Sequence, residues 1–436
     1  MTVETNQTID KNQVQLFSEA RNEPQWFRDL RFKGIELALE APLPKPDKTK
    51  IDNWVFSYNR FDLEPKQAVS DIDELPETIR PFIGEKETKR HLIVQQDASV
   101  IYKAVANELQ EKGVIFTDMQ TALKNHGELV KKYLFSEAVK IDENRLIASH
   151  AALMNGGVFI YVPKNVTVEL PLQAIYAMET EQADLYNHVL IVADEHSSVT
   201  YVENYTSSLK GKAAVTVVAE VYAEAGAKVA YGAVDHLASE MTAYIVRRGH
   251  VGRDARIDWA LGQMNDGDTI SDNTTQLIGD NSWADAKTVT IGRGKQRQNI
   301  TTLIVHHGKH SEGHILKHGV MGGEASLIFN GVTKIEHGAT KANSDQTERV
   351  LMLSGKARGD ANPILLIDED DVIAGHAASV GQVDEIQLYY LMSRGLSKKE
   401  AERLIINGFL APVVEQLPVA AVKEQLQAVI ERKVEQ

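Results

Sequence analysis

Short apolar runs rich in β-forming residues recur through the second half of the chain, and polar residues or glycine separate them. The runs are GVFIYV (157–162), HVLIVA (188–193), SVTYVE (198–203), AAVTVVAEVYA (213–223), KVAYGAV (228–234), RIDWAL (256–261), AKTVTIG (286–292), TTLIVHH (301–307), ASLIFNG (325–331) and RVLMLSG (349–355). Helical patterns between the runs are almost missing, which argues against alternating βαβ units. The pattern therefore predicts a mainly β structure from about residue 151 onward.

The corners between these runs recur at nearly constant intervals. Six residues that follow a polar or small corner lie 29, 28, 27, 29 and 27 residues apart: Ser198, Ala227, Ala255, Ser282, Ser311 and Gly338. A weak repeat of this length is typical of the stacked rungs of a solenoid. We therefore predict a parallel β-helix. A β-sandwich is the alternative, because short strands with frequent turns also describe that fold.

Helical patterns flank the β-rich part. In the first region, Pro24 suits a first helical turn, and Trp26 and Phe27 begin an apolar face. After Asp384, which suits an N-cap, helical spacing returns with an apolar stripe that favours a partner surface or a cap. The predicted organisation is a mainly helical region at 1–150, a β-helix core at 151–383 and a helical region at 384–436.

Charge and hydropathy narrow the classes of function. A net charge of −14 argues against a general nucleic-acid binder, which would carry a basic stripe. No apolar run reaches the roughly 18 residues that a membrane span needs. The polar N-terminus, MTVETNQTIDKNQVQ, lacks the basic-then-apolar order of a signal peptide. We therefore expect a cytoplasmic protein that binds neither nucleic acid nor membrane.

The chain contains no cysteine. This excludes disulfides, thiolate nucleophiles and any metal site built from cysteines of this chain alone. A site shared with a partner stays open. The GxxxxGK[ST] phosphate-binding motif is also absent, so the sequence shows no nucleotide phosphate cradle.

Three groups of residues could carry chemistry. Five of the 14 histidines are crowded into one stretch: His306, His307, His310, His314 and His318. Imidazole suits Zn, Fe or Cu, but we favour polar corners on neighbouring rungs as the explanation. The carboxylates from Asp368 to Asp371 could form a glycosidase acid pair, although contiguous acids at a turn usually stay solvated. His376 lies among small residues, and the residues alone support a metal ligand and a structural histidine equally.

Longer motifs carry a resemblance to a known family. The stretches GEASLIFNGVTKIEHGATKANSDQTERVLMLSGKA and DDVIAGHAASVGQVDEIQLYYLMSRGLSKKEAERLIINGF resemble the SufB/SufD family of iron–sulfur cluster assembly proteins. The stretches NEPQWFRDLR, GGVFIYVPKNVTVELPLQ and HVLIVADEHSSVTYVENY match as well, so the resemblance covers nearly the whole chain. The histidine before VGQVDE and the absence of cysteine make the SufD branch the more similar one.

The resemblance implies a right-handed parallel β-helix flanked by helical regions. It also implies a non-catalytic scaffold subunit that pairs with a SufB-like protein and a SufC-like ATPase to build and transfer nascent clusters. The isolated chain would then bind no cofactor stably, and an iron–sulfur cluster would form transiently in the complex. Without its partner, two copies of the chain could pair through the same surface.

Two sets of site residues follow from the resemblance. His376 corresponds to a histidine at the SufB-like interface, where it faces a partner cysteine and could share a metal. Ala374 departs from relatives that carry cysteine in a CSHGA motif, so that position cannot ligate a cluster. The ATPase is expected to bind the last helices around Arg394, Leu404, Ile405 and Phe409. The alternatives are a carbohydrate-active enzyme using the 368–371 carboxylates and an independent metalloprotein using the histidines of 306–318.

Overall fold

Two stacked sheets of mainly parallel strands form the body of the protein. The computed structural model describes residues 9–60, 65–83, 91–180, 183–208, 211–417 and 420–435. The strands are β1 (His91–Gln96), β2 (Ser99–Ala104), β3 (Ile115–Asp118), β4 (Gly156–Val162), β5 (Leu172–Met178), β6 (Leu185–Ala193), β7 (Ser198–Ser207), β8 (Ala213–Ala223), β9 (Lys228–His236), β10 (Met241–Val251), β11 (Arg256–Gln263), β12 (Thr269–Leu277), β13 (Trp283–Gly292), β14 (Arg297–His306), β15 (Glu312–Met321), β16 (Ser326–Ile335), β17 (Asn343–Met352), β18 (Arg358–Ile367) and β19 (Ile373–Gln382).

The order of the strands confirms the predicted parallel β-helix. The ten-stranded sheet has the order β19-β17-β15-β13-β11-β9-β7-β5-β1-β2, and the nine-stranded sheet has the order β18-β16-β14-β12-β10-β8-β6-β4-β3. From β4 onward the chain alternates between the two sheets, so each pair of successive strands makes one rung. Parallel strands need a crossover connection, and here the strand on the opposite sheet supplies it.

One corner of each rung from β4–β5 to β16–β17 is held by a residue in the left-handed conformation. These residues have φ between 54° and 69°: Asn165, His196, Gly226, Asp254, Asn281, His310 and Lys341. The backbone N–H of each donates a hydrogen bond of 2.5–3.0 Å to a carbonyl of the next rung. Glycine, asparagine and aspartate tolerate this region best, which explains the polar and small corners in the sequence.

The corner column also corrects the predicted repeat. A small buried residue follows the left-handed corner residue at intervals of 30, 28, 27, 29 and 31 residues: Ser197, Ala227, Ala255, Ser282, Ser311 and Ala342. Four of the six predicted positions are therefore right, whereas Ser198 and Gly338 are displaced by one and four residues. The rungs differ in length because their connections differ, so a nearly constant interval misplaces the first and last corners.

The β-helix begins earlier than the predicted boundary. Three strands lie within 1–150: β1 pairs in parallel with β5, β2 pairs antiparallel with β1, and β3 pairs antiparallel with β4. Helices occupy much of the rest of this region: α1 (Lys11–Ala20), α2 (Gln25–Glu40), α3 (Asn107–Glu111), α4 (Met119–Asn125), α5 (Gly127–Tyr133) and α6 (Arg145–Leu153). Two 3₁₀ turns, Ile72–Glu74 and Arg80–Phe82, lie before β1.

The C-terminal helices include one that docks on the outer face of the ten-stranded sheet. They are α7 (Glu385–Ser393), α8 (Lys398–Val414) and α9 (Ala420–Glu435). Val422 and Leu426 of α9 are fully buried, and they approach the backbone of Gly232 and Gly262 so closely that a Cβ there would lie 2.2 Å and 2.6 Å from their methyl groups. Much of the predicted apolar stripe is therefore covered by this chain itself. Within the described ranges, every helix is too short or too polar to cross a bilayer.

Candidate functional site at the open end of the β-helix

The last rung, β18 and β19, leaves the C-terminal end of the β-helix uncovered. These two strands are the outermost of their sheets, and no further strand pairs with them among the described residues. Ile367 and Val380 are exposed here, although their partners in the preceding rung, Ile335 and Val350, are buried. Three further apolar side chains of this rung are exposed on its outer face: Ile364, Leu366 and Ile373. An exposed edge strand of ten residues, β19, offers a row of unpaired backbone groups.

His376 lies on the inner face of β19, at this open end. In β17 the side chains of Ser344, Gln346 and Glu348 are buried and alternate with more exposed neighbours. Gln346 is the parallel partner of His376 in β19. Since paired residues of parallel strands share a face, His376 stacks above Gln346 at the mouth of the interior and is exposed in this chain.

A buried ion pair lies one rung below the mouth. Lys317 Nζ is 2.7 Å from Glu348 Oε1, and both side chains are fully buried. Lys317 also donates a hydrogen bond of 2.8 Å to the carbonyl of Asn330 and lies 5.0 Å from the centre of the Phe329 ring. Burial lowers the pKa of the Lys317 ammonium, and the neighbouring Glu348 charge opposes that shift.

Lys317, Glu348 and Gln346 were missed in the sequence analysis, although a signal was present. Within β15, Lys317 occupies a position of the same parity as the buried Ile315, which in a half-buried strand points to the interior. Glu348 lies 31 residues later and is its parallel partner in the next strand of the same sheet. Opposite charges at inward positions one rung apart predict such a pair once the rung length is known.

The five crowded histidines do not converge on a site. His306 lies in the interior, where its Nδ1 is 2.9 Å from Ser311 Oγ and burial lowers its pKa to about 4. His307 contacts Gln276, His310 is the left-handed corner residue, His314 contacts Asp345, and His318 stacks on Phe409. In the part of the chain that the structure describes, no three His, Asp or Glu side chains are grouped to hold a metal ion.

The carboxylates from Asp368 to Asp371 form a turn between β18 and β19. Glu369 accepts hydrogen bonds from the backbone N–H groups of Gly338 and Asp370, at 2.9 Å and 3.0 Å. These bonds lower the pKa of the Glu369 carboxyl. A general acid needs a raised pKa, so this residue is arranged as a turn cap and not as a proton donor.

The residues predicted to contact the ATPase differ in their exposure in this chain. Leu404 is 53% exposed and Arg394 is exposed, whereas Ile405 is half-buried. Phe409 stacks on His318 with ring centres 4.8 Å apart, and its carbonyl lies 2.7 Å from His318 Nδ1. The free apolar surface lies mainly on α7, at Ile386, Tyr389, Tyr390 and Met392.

Comparisons with known proteins identify the family of this chain. A family model described as "SUF system FeS cluster assembly, SufBD core domain" matches residues 176–409, and one described as "SufBD protein N-terminal region" matches residues 84–174. The iron-sulfur cluster assembly protein SufD of Bacillus subtilis (strain 168) is 56% identical over 436 residues, which is 100% of both chains. An iron-sulfur cluster assembly SufBD family protein of Staphylococcus aureus (strain USA300) is 29% identical over 94% of this chain and 90% of its own. This chain therefore belongs to the SufBD family of the SUF iron–sulfur cluster assembly system.

Proposed function

We propose that this chain is a scaffold subunit that pairs with a SufB-like protein through the open end formed by β18 and β19. The observation that carries this proposal is the uncovered last rung, where Ile367 and Val380 occupy interior positions yet remain 45% and 42% exposed. Apolar side chains at inward positions gain burial only when another surface covers them. A SufB-like chain that continued both sheets would cover these side chains and pair the free strand edges.

His376 is the residue of this end that contributes to cluster chemistry in the proposal. Iron–sulfur clusters are held mostly by thiolates, and histidine replaces them at some irons. This chain has no cysteine, so it offers an imidazole and the partner supplies the thiolate. The nascent cluster is cargo in this scheme and leaves with a target protein.

A SufC-like ATPase would bind the exposed face of α7 and α8. Tyr389 and Leu404 supply apolar area on this face, and Arg394 lies between them in the chain. The chain has no phosphate-binding motif of its own, so ATP-derived energy would enter through this contact. Phe409 would contribute less to this contact, because His318 of the β-helix already covers part of its ring.

The role of His376 is tested by co-expressing the chain with SufB-like and SufC-like proteins and measuring cluster formation by visible absorbance. We expect His376→Ala to leave the complex assembled and to lower the cluster yield at least several-fold. His307→Ala, a change at an exposed histidine away from the last rung, is the control and should leave the yield unchanged. An undiminished yield in His376→Ala would remove the site role from this residue while the pairing role stands.

Pairing is tested separately by affinity co-purification. Val380→Asp places a charge on the surface to be covered and should abolish capture of the SufB-like chain. Leu39→Asp on α2, where Leu39 is 64% exposed, is the matched control and should bind normally. If the isolated chain forms a dimer by light scattering, Val380→Asp should convert it to a monomer, since a self-pair would use the same strands. Equal capture by both variants would place the partner elsewhere.

A further inference from the structure

The side chains that fill the interior of the β-helix change from aromatic to small and polar about halfway along its axis. One inward row of the ten-stranded sheet carries Tyr201, Tyr231 and Trp259 in successive rungs, and then Ala286. Neighbouring strands keep a spacing of about 4.8 Å whatever their side chains. The step from Trp259 to Ala286 therefore leaves a much smaller side chain in this row, in the rung that also carries Asn273 and Thr288.

Polar side chains line this second half of the interior. In the nine-stranded sheet, Arg247, Asn273 and Thr302 are parallel partners in three successive strands, and Thr288 faces the same interior from the other sheet. All four are at most 2% exposed. Some polar groups here bond directly across the interior, as Thr290 Oγ1 does to Gln298 Oε1 at 2.7 Å.

Other polar atoms in the same rows have no such contact. Within the described ranges, these buried atoms lack a hydrogen-bond partner: Arg247 Nη1, Gln263 Oε1, Asn273 Oδ1 and Nδ2, Thr288 Oγ1 and Thr302 Oγ1. A buried polar group without a partner costs about 1–3 kcal/mol. Both amide atoms of Asn273 are among them, so this column offers donors and acceptors to a bound molecule.

Charged groups bound the column at both ends. At the inner end, the Arg247 guanidinium lies 2.8 Å from Glu203 Oε1 and 3.0 Å from Asp235 Oδ1. Two carboxylates thus share one cation, and burial raises the pKa of both carboxyls against the opposing charge of Arg247. At the outer end stands the Lys317–Glu348 pair below the open mouth.

We propose that this column binds a file of ordered water molecules that runs from the Arg247 triad toward the Lys317–Glu348 pair. Water fits the donor set, because amide, hydroxyl and guanidinium groups need both donors and acceptors within a short reach. A buried water makes about three hydrogen bonds to groups of this kind. The aromatic rows from Tyr201 to Trp259 close the inner end, so the file connects the buried triad to solvent through the C-terminal mouth. A partner bound there would also control this connection.

Two measurements test the file. Water-oxygen magnetic relaxation dispersion counts long-lived buried waters in the intact chain, and we expect Asn273→Leu and Thr302→Val each to reduce that count. Thr333→Val is the matched control, because Thr333 already pairs with Ser344 at 3.0 Å, and it should leave the count unchanged.

A crystal structure of the unaltered chain at high resolution keeps the test independent of how the variants fold. Ordered water peaks within hydrogen-bond distance of Asn273 support the proposal. A refined interior in which Asn273 bonds directly to neighbouring side chains, with no water between the sheets, overturns it.

Discussion

The close contact between α9 and the β-helix predicts that Gly262→Ala destabilises the protein when Leu426 is present and stabilises it when Leu426 is truncated. A Cβ added at Gly262 would lie 2.6 Å from Leu426 Cδ1 and 3.6 Å from its Cγ. Leu426 is fully buried and cannot move away freely. Overpacking of this kind costs about 1–3 kcal/mol. Replacing glycine by alanine in a strand also stabilises by about 0.4–1 kcal/mol through the unfolded chain. Gly262→Ala should therefore destabilise the docked helix by about 1–2 kcal/mol.

The same substitution should stabilise a chain whose leucine is already truncated. Leu426→Ala alone removes a buried side chain and should cost about 2–5 kcal/mol. In that background the methyl group of Gly262→Ala meets no clash and partly fills the cavity, so only the favourable contributions remain. The coupling energy between the two sites should be about 1–3 kcal/mol.

Hydrogen exchange of α9 amides, read by mass spectrometry, measures this coupling because undocking of α9 is a local event. Denaturant unfolding of the four proteins of the cycle gives a second measure. Gly408→Ala in α8 is the control: nothing lies within 4 Å of its Cβ position, and the substitution should stabilise by about 1 kcal/mol. Additive effects of Gly262→Ala and Leu426→Ala, within about 0.5 kcal/mol, would refute the proposed close packing.

Two further predictions concern buried lysines. Burial lowers the pKa of Lys433, which lies 3.0 Å from Asp266 Oδ1, to about 8, whereas an unfolded lysine titrates near 10.4. The unfolded chain binds more protons between these values, so this group should make stability rise with pH from about 8 to 10.4. Lys433→Met should remove that rise in urea titrations, and an unaltered pH slope would contradict the assignment. Lys317→Met should cost about 3–5 kcal/mol, because it leaves the Glu348 carboxylate buried without its cation. Adding Glu348→Leu should restore most of this loss in thermal melts, and a double variant as unstable as the sum of the two singles would argue against a desolvated pair.

Local patterns in the sequence determined much of the secondary structure of this protein. Short β-prone runs such as 198–203 and 301–307 identified strands, and the polar or small corners between the runs identified the turns of a β-helix. The spacing of Ser397 and Glu400 is that of a capping box, and the structure has this capping box at the start of α8. These features depend on neighbours within a few residues. A single rung and the family motifs can therefore be identified from the sequence.

Only the tertiary structure decided which residues of neighbouring rungs pair with each other. Rung lengths vary from 27 to 31 residues along the corner column, so Lys317 finds Glu348 only after the register is set. Strands β1 and β3 join the sheets through pairing with β5 and β4. Helix α9 docks where Gly232 and Gly262, on the adjacent strands β9 and β11, leave room for Val422 and Leu426. Such contacts join residues that are far apart in the chain, and their energies depend on packing that no local pattern contains.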